Sequence, residues 1–127
     1  MVRVENLMKR PIVTAGKNAS VYEVSIMMAM VKASSVFVKD FTGIIGIVTE
    51  EDIVRKVVSQ NRIPEWTPVG EIMSTPVINI DQDGSVFEAA DLMEQSGTRH
   101  LAVTHNHDIV GVLSVRDLLH PVAVDEL

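Results

Sequence analysis

The sequence predicts an α/β (α+β) fold of two repeats related by a pseudo-twofold axis, each repeat a short sheet covered by helices. Three observations predict it. Residues 4–54 laid on 69–119 without a gap match at 11 of 51 positions, against about three expected from average composition. The identical pairs include Met8/Met73, Pro11/Pro76, Ser20/Ser85, Glu23/Glu88, Gly46/Gly111 and Asp52/Asp117. Most other aligned apolar positions exchange one aliphatic for another, as in Ile47/Val112 and Ile53/Leu118. Finally, strand-like and helix-like stretches alternate identically in both halves.

Each repeat opens with a short apolar segment, 4–8 or 69–73, predicted as a single helical turn, and then meets Pro11 or Pro76. A residue before proline is pushed out of the helical region, so short strands are predicted at 12–13 and 77–80. Ser20 and Ser85 each precede a glutamate by three residues. This is a capping box, in which hydroxyl and carboxylate each satisfy an unpaired backbone donor, and a helix of about three turns follows. Residues 35–39 and 44–48, and again 100–104 and 109–113, read as hairpin strands around polar turns. Helices at 49–59 and 114–120 complete the units, the second ended by Pro121. Residues 1–59 therefore form the first repeat and 69–127 the second with a short C-terminal tail. The linker 60–68 carries Pro64, Trp66 and Pro68. A repeat of about 50 residues buries only about 60% of its unfolded surface, so the two are expected to share a core.

Apolar residues at 46% and charged residues at 22% match an ordinary globular protein, and no apolar run approaches the roughly 18 residues of a membrane span. Met1–Glu5 lacks the charged and apolar blocks of a secretion signal. The absence of cysteine excludes disulfides and thiolate metal sites. A net charge of −6 disfavours nucleic acid, whose phosphates need a basic surface. The reading is a cytoplasmic protein that engages neither membrane nor nucleic acid.

The second hairpin strand runs into its helix as Gly46-Ile47-Val48-Thr49-Glu50-Glu51-Asp52, and again as Gly111-Val112-Leu113-Ser114-Val115-Arg116-Asp117. Thr49 and Ser114 suit a helix N-cap, with Asp52 and Asp117 closing the box, a role contributing about 1 kcal/mol per helix. An ionised carboxylate is also an acceptor-only group that grips a cis-diol through two neighbouring hydroxyls, as acidic residues grip ribose. The two readings are compatible.

Tandem Ser-Val-x-Glu helices, hairpins and Gly-h-h-(Thr/Ser)-x-x-Asp starts resemble a pair of cystathionine-β-synthase (CBS) domains, the assembly called a Bateman module. The resemblance spans about residues 2–121 and leaves no separate catalytic domain. It implies a regulatory, non-enzymatic module that requires no cofactor. Its ligand would be AMP, ADP or ATP, with S-adenosylmethionine a further member of the class, held in the cleft between repeats. Asp52 and Asp117 would hold ribose in two sites, with Thr49 and Ser114 beside it. Val13, Thr14 and Ala15, or Ile78, Asn79 and Ile80, would line adenine. Phosphate would meet the start of the opposite repeat's hairpin, where Arg99 and His100 stand against Ser34 and Ser35. A guanidinium offers phosphate a planar fork of donors, and imidazole adds donor capacity when protonated. Phosphorylated nucleotides are therefore expected at the Asp52 site, with the Asp117 site weaker or empty. An ion pair from Arg99 to an acid such as Glu94 is the plainer alternative.

His105-Asn106-His107-Asp108 invites a metal reading, but two imidazoles and one carboxylate on a turn make a weak ligand set, and a solvated turn is expected. The first long helix places Val21, Val24, Met28 and Val31 on one face and Tyr22, Ile26, Ala29, Met30 and Ala33 on much of the other. A helix apolar nearly all round must be covered on both sides. Extra core or a homodimer interface would do so, and its methionines suit adaptable packing. The leading reading is a nucleotide sensor that signals to a regulated partner protein. Its rival is a dimeric scaffold with a vestigial cleft.

Overall fold

The computed structural model describes residues 2–119 and divides into two compact units. The central unit is Val13–Val77, whereas the terminal unit combines the chain up to Ile12 with the chain from Ile78 onward. The opening segment of each repeat is thus built into the unit that carries the other repeat's sheet.

In the central unit, β1 (Thr14–Gly16) runs parallel to β2 (Ser35–Asp40), with α2 (Val21–Val31) as the crossover. An antiparallel hairpin joins β2 to β3 (Gly43–Thr49). The short α3 (Glu50–Ile53) follows and continues as a π-turn at Val54–Val58. The terminal unit opens with α1 (Val4–Leu7) and repeats the pattern with β4 (Asn79–Asp81), α4 (Val86–Ser96), β5 (His100–His105) and β6 (Asp108–Ser114), ending in a 3-10 turn at Asp117–Leu119. Each sheet is three-stranded, in the order β1-β2-β3 or β4-β5-β6. Among the described residues, no helix is long and apolar enough to cross a membrane.

The exchanged segments dock through equivalent bonds. Val4 N–H donates to the Gly84 carbonyl at 2.8 Å and Val69 N–H to the Ala19 carbonyl at 2.8 Å. Glu5 N–H meets Gln82 at 3.0 Å, and Gly70 N–H meets Lys17 at 2.9 Å. Val4 and Val69 are fully buried, which contributes about 2 kcal/mol each. The single core expected for both repeats is replaced by two clusters. Val21, Val24, Val36, Val38, Val48 and Val57 close around the imported Val69 and Ile72, while Ala89, Met93, Leu101, Val103 and Leu113 close around the imported Val4.

Local signals placed the helix starts well. Ser20 Oγ accepts from Glu23 N–H at 3.0 Å and Glu23 Oε1 accepts from Ser20 N–H at 3.3 Å, while Ser85 Oγ accepts from Glu88 N–H at 3.1 Å. Several boundaries differ from expectation. The first strands lie at 14–16 and 79–81 rather than 12–13 and 77–80, although Val13 and Ile78 already lend their carbonyls to Phe37 and Ala102 at 2.9 Å each. The helix expected at 49–59 widens to a π-turn over Val54–Val58, where Ser59 N–H bonds the Val54 carbonyl at 2.9 Å. Three β-branched valines, which crowd an α-helical turn, occupy that stretch. At 114–120, only the 3-10 turn Asp117–Leu119 is helical among the described residues. His120 and the C-terminal tail lie outside them. Val31, expected on the buried face of α2, is 54% exposed.

Candidate functional site

Each unit holds one copy of the Gly-h-h-(Thr/Ser)-x-x-Asp motif together with the exchanged segment that precedes the proline. In the central unit Ser74 forms a two-bond bridge with Ile47, Ser74 N–H to Ile47 O at 2.8 Å and Ile47 N–H to Ser74 O at 3.1 Å. In the terminal unit Lys9 bridges Val112 through the same pair of bonds, at 2.8 and 3.2 Å. The motif glycines allow this approach. A Cβ at Gly46 would lie 2.5 Å from Met73 Sδ and 3.1 Å from the Ser74 carbonyl oxygen. At Gly111 it would lie 2.7 Å from Met8 Sδ and 3.1 Å from the Lys9 carbonyl oxygen. The repeated Met and Gly are therefore partners, a plug and the notch that receives it.

The same docking brings positions 9 and 74 to the motif carboxylates. Asp52 is buried. Its Oδ2 accepts from Thr49 N–H at 3.0 Å and Thr49 Oγ1–H at 3.2 Å, while Thr49 Oγ1 in turn accepts from Asp52 N–H at 3.2 Å. Its Oδ1 accepts from Ser74 Oγ–H at 2.9 Å and pairs with Lys56 Nζ at 2.8 Å. The Lys56 ammonium also donates to the Ile72 carbonyl at 3.0 Å and reaches Ser74 Oγ at 3.5 Å.

Asp117 is equally buried. Its Oδ2 accepts from Ser114 N–H at 2.7 Å and Ser114 Oγ–H at 3.1 Å, and its Oδ1 faces Lys9 Nζ at 3.4 Å. Hydroxyl and acid thus meet in both units as the spacing predicts. The capping geometry is formed in full at Thr49, the N-cap of α3. Lys9, Lys56 and Ser74 were not among the predicted site residues. Lys56 had a local signal, since it stands four residues after Asp52 on one helical face. Lys9 and Ser74 occupy equivalent positions in the repeat alignment, but their role follows from the exchange of segments.

The remaining predicted residues divide between the units. Val13, Thr14 and Ala15 are half-buried in the central unit, with Val13 and Ala15 against its core. In the terminal unit Ile78 is half-buried and Asn79 exposed, whereas Ile80 is a core side chain. The Ile80 side chain therefore serves the packing of the terminal unit. Arg99 is exposed and His100 half-buried at the start of β5. There the Arg99 carbonyl accepts from Val115 N–H at 2.9 Å and His100 stands opposite Ser114 in register. Both are in the unit of Asp117. Asn79 also lines a depression of about 380 Å³ with Asp81, Thr104, Asn106 and His107.

At the hairpin turns, Asp40 Oδ1 accepts from Thr42 Oγ1–H at 2.5 Å and Thr42 N–H at 2.8 Å. These bonds hold its carboxyl below the ordinary carboxylate range, the hydroxyl contributing most. The other hairpin turns through Asn106 and His107, both at positive φ. Among the described residues, no group of three or more His, Cys, Asp or Glu side chains is placed to hold a metal ion.

Comparison with known proteins fits this arrangement. The CBS domain model matches residues 4–59 and 69–123. The chain is 34% identical over 120 residues to the uncharacterized protein MK0525 of Methanopyrus kandleri, covering 93% of the chain and 61% of that protein, so it spans about three fifths of that relative. It is 27% identical to the CBS domain-containing protein YhcV of Bacillus subtilis, over 93% of the chain and 84% of that protein. Among solved structures, a protein with CBS domains from Burkholderia ambifaria superposes with a TM-score of 0.90 at 35% identity, over 99% of this chain and 97% of that one. The CBS domain protein PAE2072 of Pyrobaculum aerophilum, solved in complex with AMP, superposes with a TM-score of 0.84 at 29% identity, over 99% and 98%. With two matched repeats covering most of its length, the chain belongs to the CBS domain family.

Proposed function

We propose that the protein is a regulatory, non-catalytic module of the cytoplasm that binds an adenosine nucleotide of the AMP, ADP or ATP class and signals its presence to a partner protein. One observation carries the reading. Both units bury a carboxylate whose Oδ2 is held by a hydroxyl and a backbone N–H, which orients an acceptor-only group of the kind that takes hydrogen bonds from a ribose diol. The AMP complex of PAE2072 supports the choice of ligand. Signalling follows from differential affinity, because a ligand shifts a conformational equilibrium only as far as it prefers one state.

A thermal-shift scan with AMP, ATP, S-adenosylmethionine and NAD tests this. A ligand at 100 times its dissociation constant adds about 2.7 kcal/mol to stability. A stabilising shift with AMP or ATP is expected, and none with any adenosine compound would sink the proposal.

The scaffold reading has an observation of its own. Tyr22, Ile26 and Met30 on α2 are exposed, Met30 at 78%, and Trp66 in the linker is exposed at 79%. A face of this kind suits a second copy of the chain, and homodimerisation is part of the proposal. Light scattering is expected to report twice the 14.0 kDa chain mass, and an Ile26→Asp variant should return it to one chain. A single-chain mass for the unaltered protein at micromolar concentration would remove the dimer.

A further inference from the structure

The two motif carboxylates are not equally prepared for a ligand, and the difference lies in two lysines outside the motif. An ionised carboxylate offers about four lone-pair positions. In the central unit Asp52 has a donor at each: Thr49 N–H, Thr49 Oγ1–H, Ser74 Oγ–H and Lys56 Nζ. A ribose hydroxyl would have to evict Ser74 or Lys56. Lys56 is the harder to move, because the Ile72 carbonyl anchors the same ammonium at 3.0 Å.

In the terminal unit, among the described residues, Asp117 receives the two Ser114 donors and one long ion pair to Lys9 at 3.4 Å. That distance is well beyond the 2.7–2.9 Å of a strong charge-assisted bond. The Lys9 side chain is 69% exposed although its acid is buried, so its ammonium stays largely hydrated and the long contact holds it weakly. Its flexible four-carbon stem leaves the carboxylate at small cost.

We infer that Asp117 is the ligand-ready carboxylate and that Lys9 selects phosphorylated ligands there, moving its ammonium from Oδ1 to the 5′-phosphate as the ribose diol takes its place. The carboxylate gains two hydroxyl donors, and the lysine exchanges a long contact for a more highly charged partner. Ser74, at the equivalent position in the central unit, has no charge to exchange. This ranking is the reverse of the one that Arg99 and His100 suggest from sequence. It rests on the adenosine reading above.

Calorimetric titrations of AMP and of adenosine into the unaltered protein and into Lys9→Met, Lys9→Arg, Asp117→Asn and Asp52→Asn test the assignment. Lys9→Met should weaken AMP about tenfold while leaving adenosine within about twofold, and Lys9→Arg should keep the preference for AMP. Asp117→Asn should weaken both ligands about tenfold, and Asp52→Asn should weaken both by a smaller factor than Asp117→Asn does. Because Lys9 is exposed, its variants are expected to fold, and the AMP-to-adenosine ratio is insensitive to a general loss of stability. An unchanged ratio in Lys9→Met would overturn the role of Lys9. Loss of binding in Asp52→Asn with Asp117→Asn unaffected would overturn the choice of unit. If the unaltered protein bound neither AMP nor adenosine, the adenosine reading would fail and take this inference with it.

Discussion

The central and terminal units carry the same seven-residue motif, yet they hold its acid in different ways. Asp52 sits in a closed set of donors with the Lys56 ammonium anchored on the Ile72 carbonyl, whereas Asp117, among the described residues, has two Ser114 donors and one long contact to Lys9. The motif keeps one pattern in the two copies, with its Gly and Asp identical and its aliphatic and hydroxyl positions exchanged for like residues. What differs is the neighbourhood: Ser74 against Lys9, and a lysine one turn beyond Asp52 where the second copy has Pro121. The two copies share the frame of the motif and differ in the donors around its acid, through residues that no motif records.

Three measurements sharpen or break that comparison. The largest effect is expected at the notches. Gly46→Ala should cost about 2 kcal/mol in urea unfolding and Gly111→Ala somewhat less, because the added carbon meets Met73 at 2.5 Å but Met8 at 2.7 Å. Neutral substitutions would show that the methionine plugs yield freely and that the docking is looser than the geometry indicates. Next come the lysines. Lys56→Met should cost about 1 kcal/mol by thermal or chemical unfolding, whereas Lys9→Met should stay within about 0.3 kcal/mol. Equal costs would erase the contrast between clamp and loose contact. The smallest effect is a gain. His107 holds a φ of 71° in its turn, a conformation glycine adopts without strain, so His107→Gly should stabilise the terminal hairpin by about 0.5 kcal/mol. The other hairpin already places Gly43 at positive φ.

Much of the fold was legible because its signals are local. Serine or threonine with an acid three residues on marks Ser20, Ser85 and Thr49 as helix starts; the full box forms at Ser20 and Thr49, and the hydroxyl half of it at Ser85. Asp52 and Asp117 came out of the same arithmetic and are buried beside their hydroxyl partners. The exchange of segments was not legible. The repeat alignment shows that Met8 and Met73 are equivalent, but an internal symmetry is satisfied equally well whether each plug fills its own repeat's notch or the other's. Long-range bonds such as those of Lys9 to Val112 and of Ser74 to Ile47 decide it. For the same reason Lys9 could not be read as a neighbour of Asp117. Nor was it legible which side chain of the segment after Pro76 enters the core, a place taken by Ile80.

The exchange also separates two meanings of a repeat. The stretch that was copied and the stretch that closes on itself are different, since each sheet is completed by a peptide encoded beside its twin. Cutting the chain at the junction of the repeats would therefore part each methionine plug from the glycine notch that receives it.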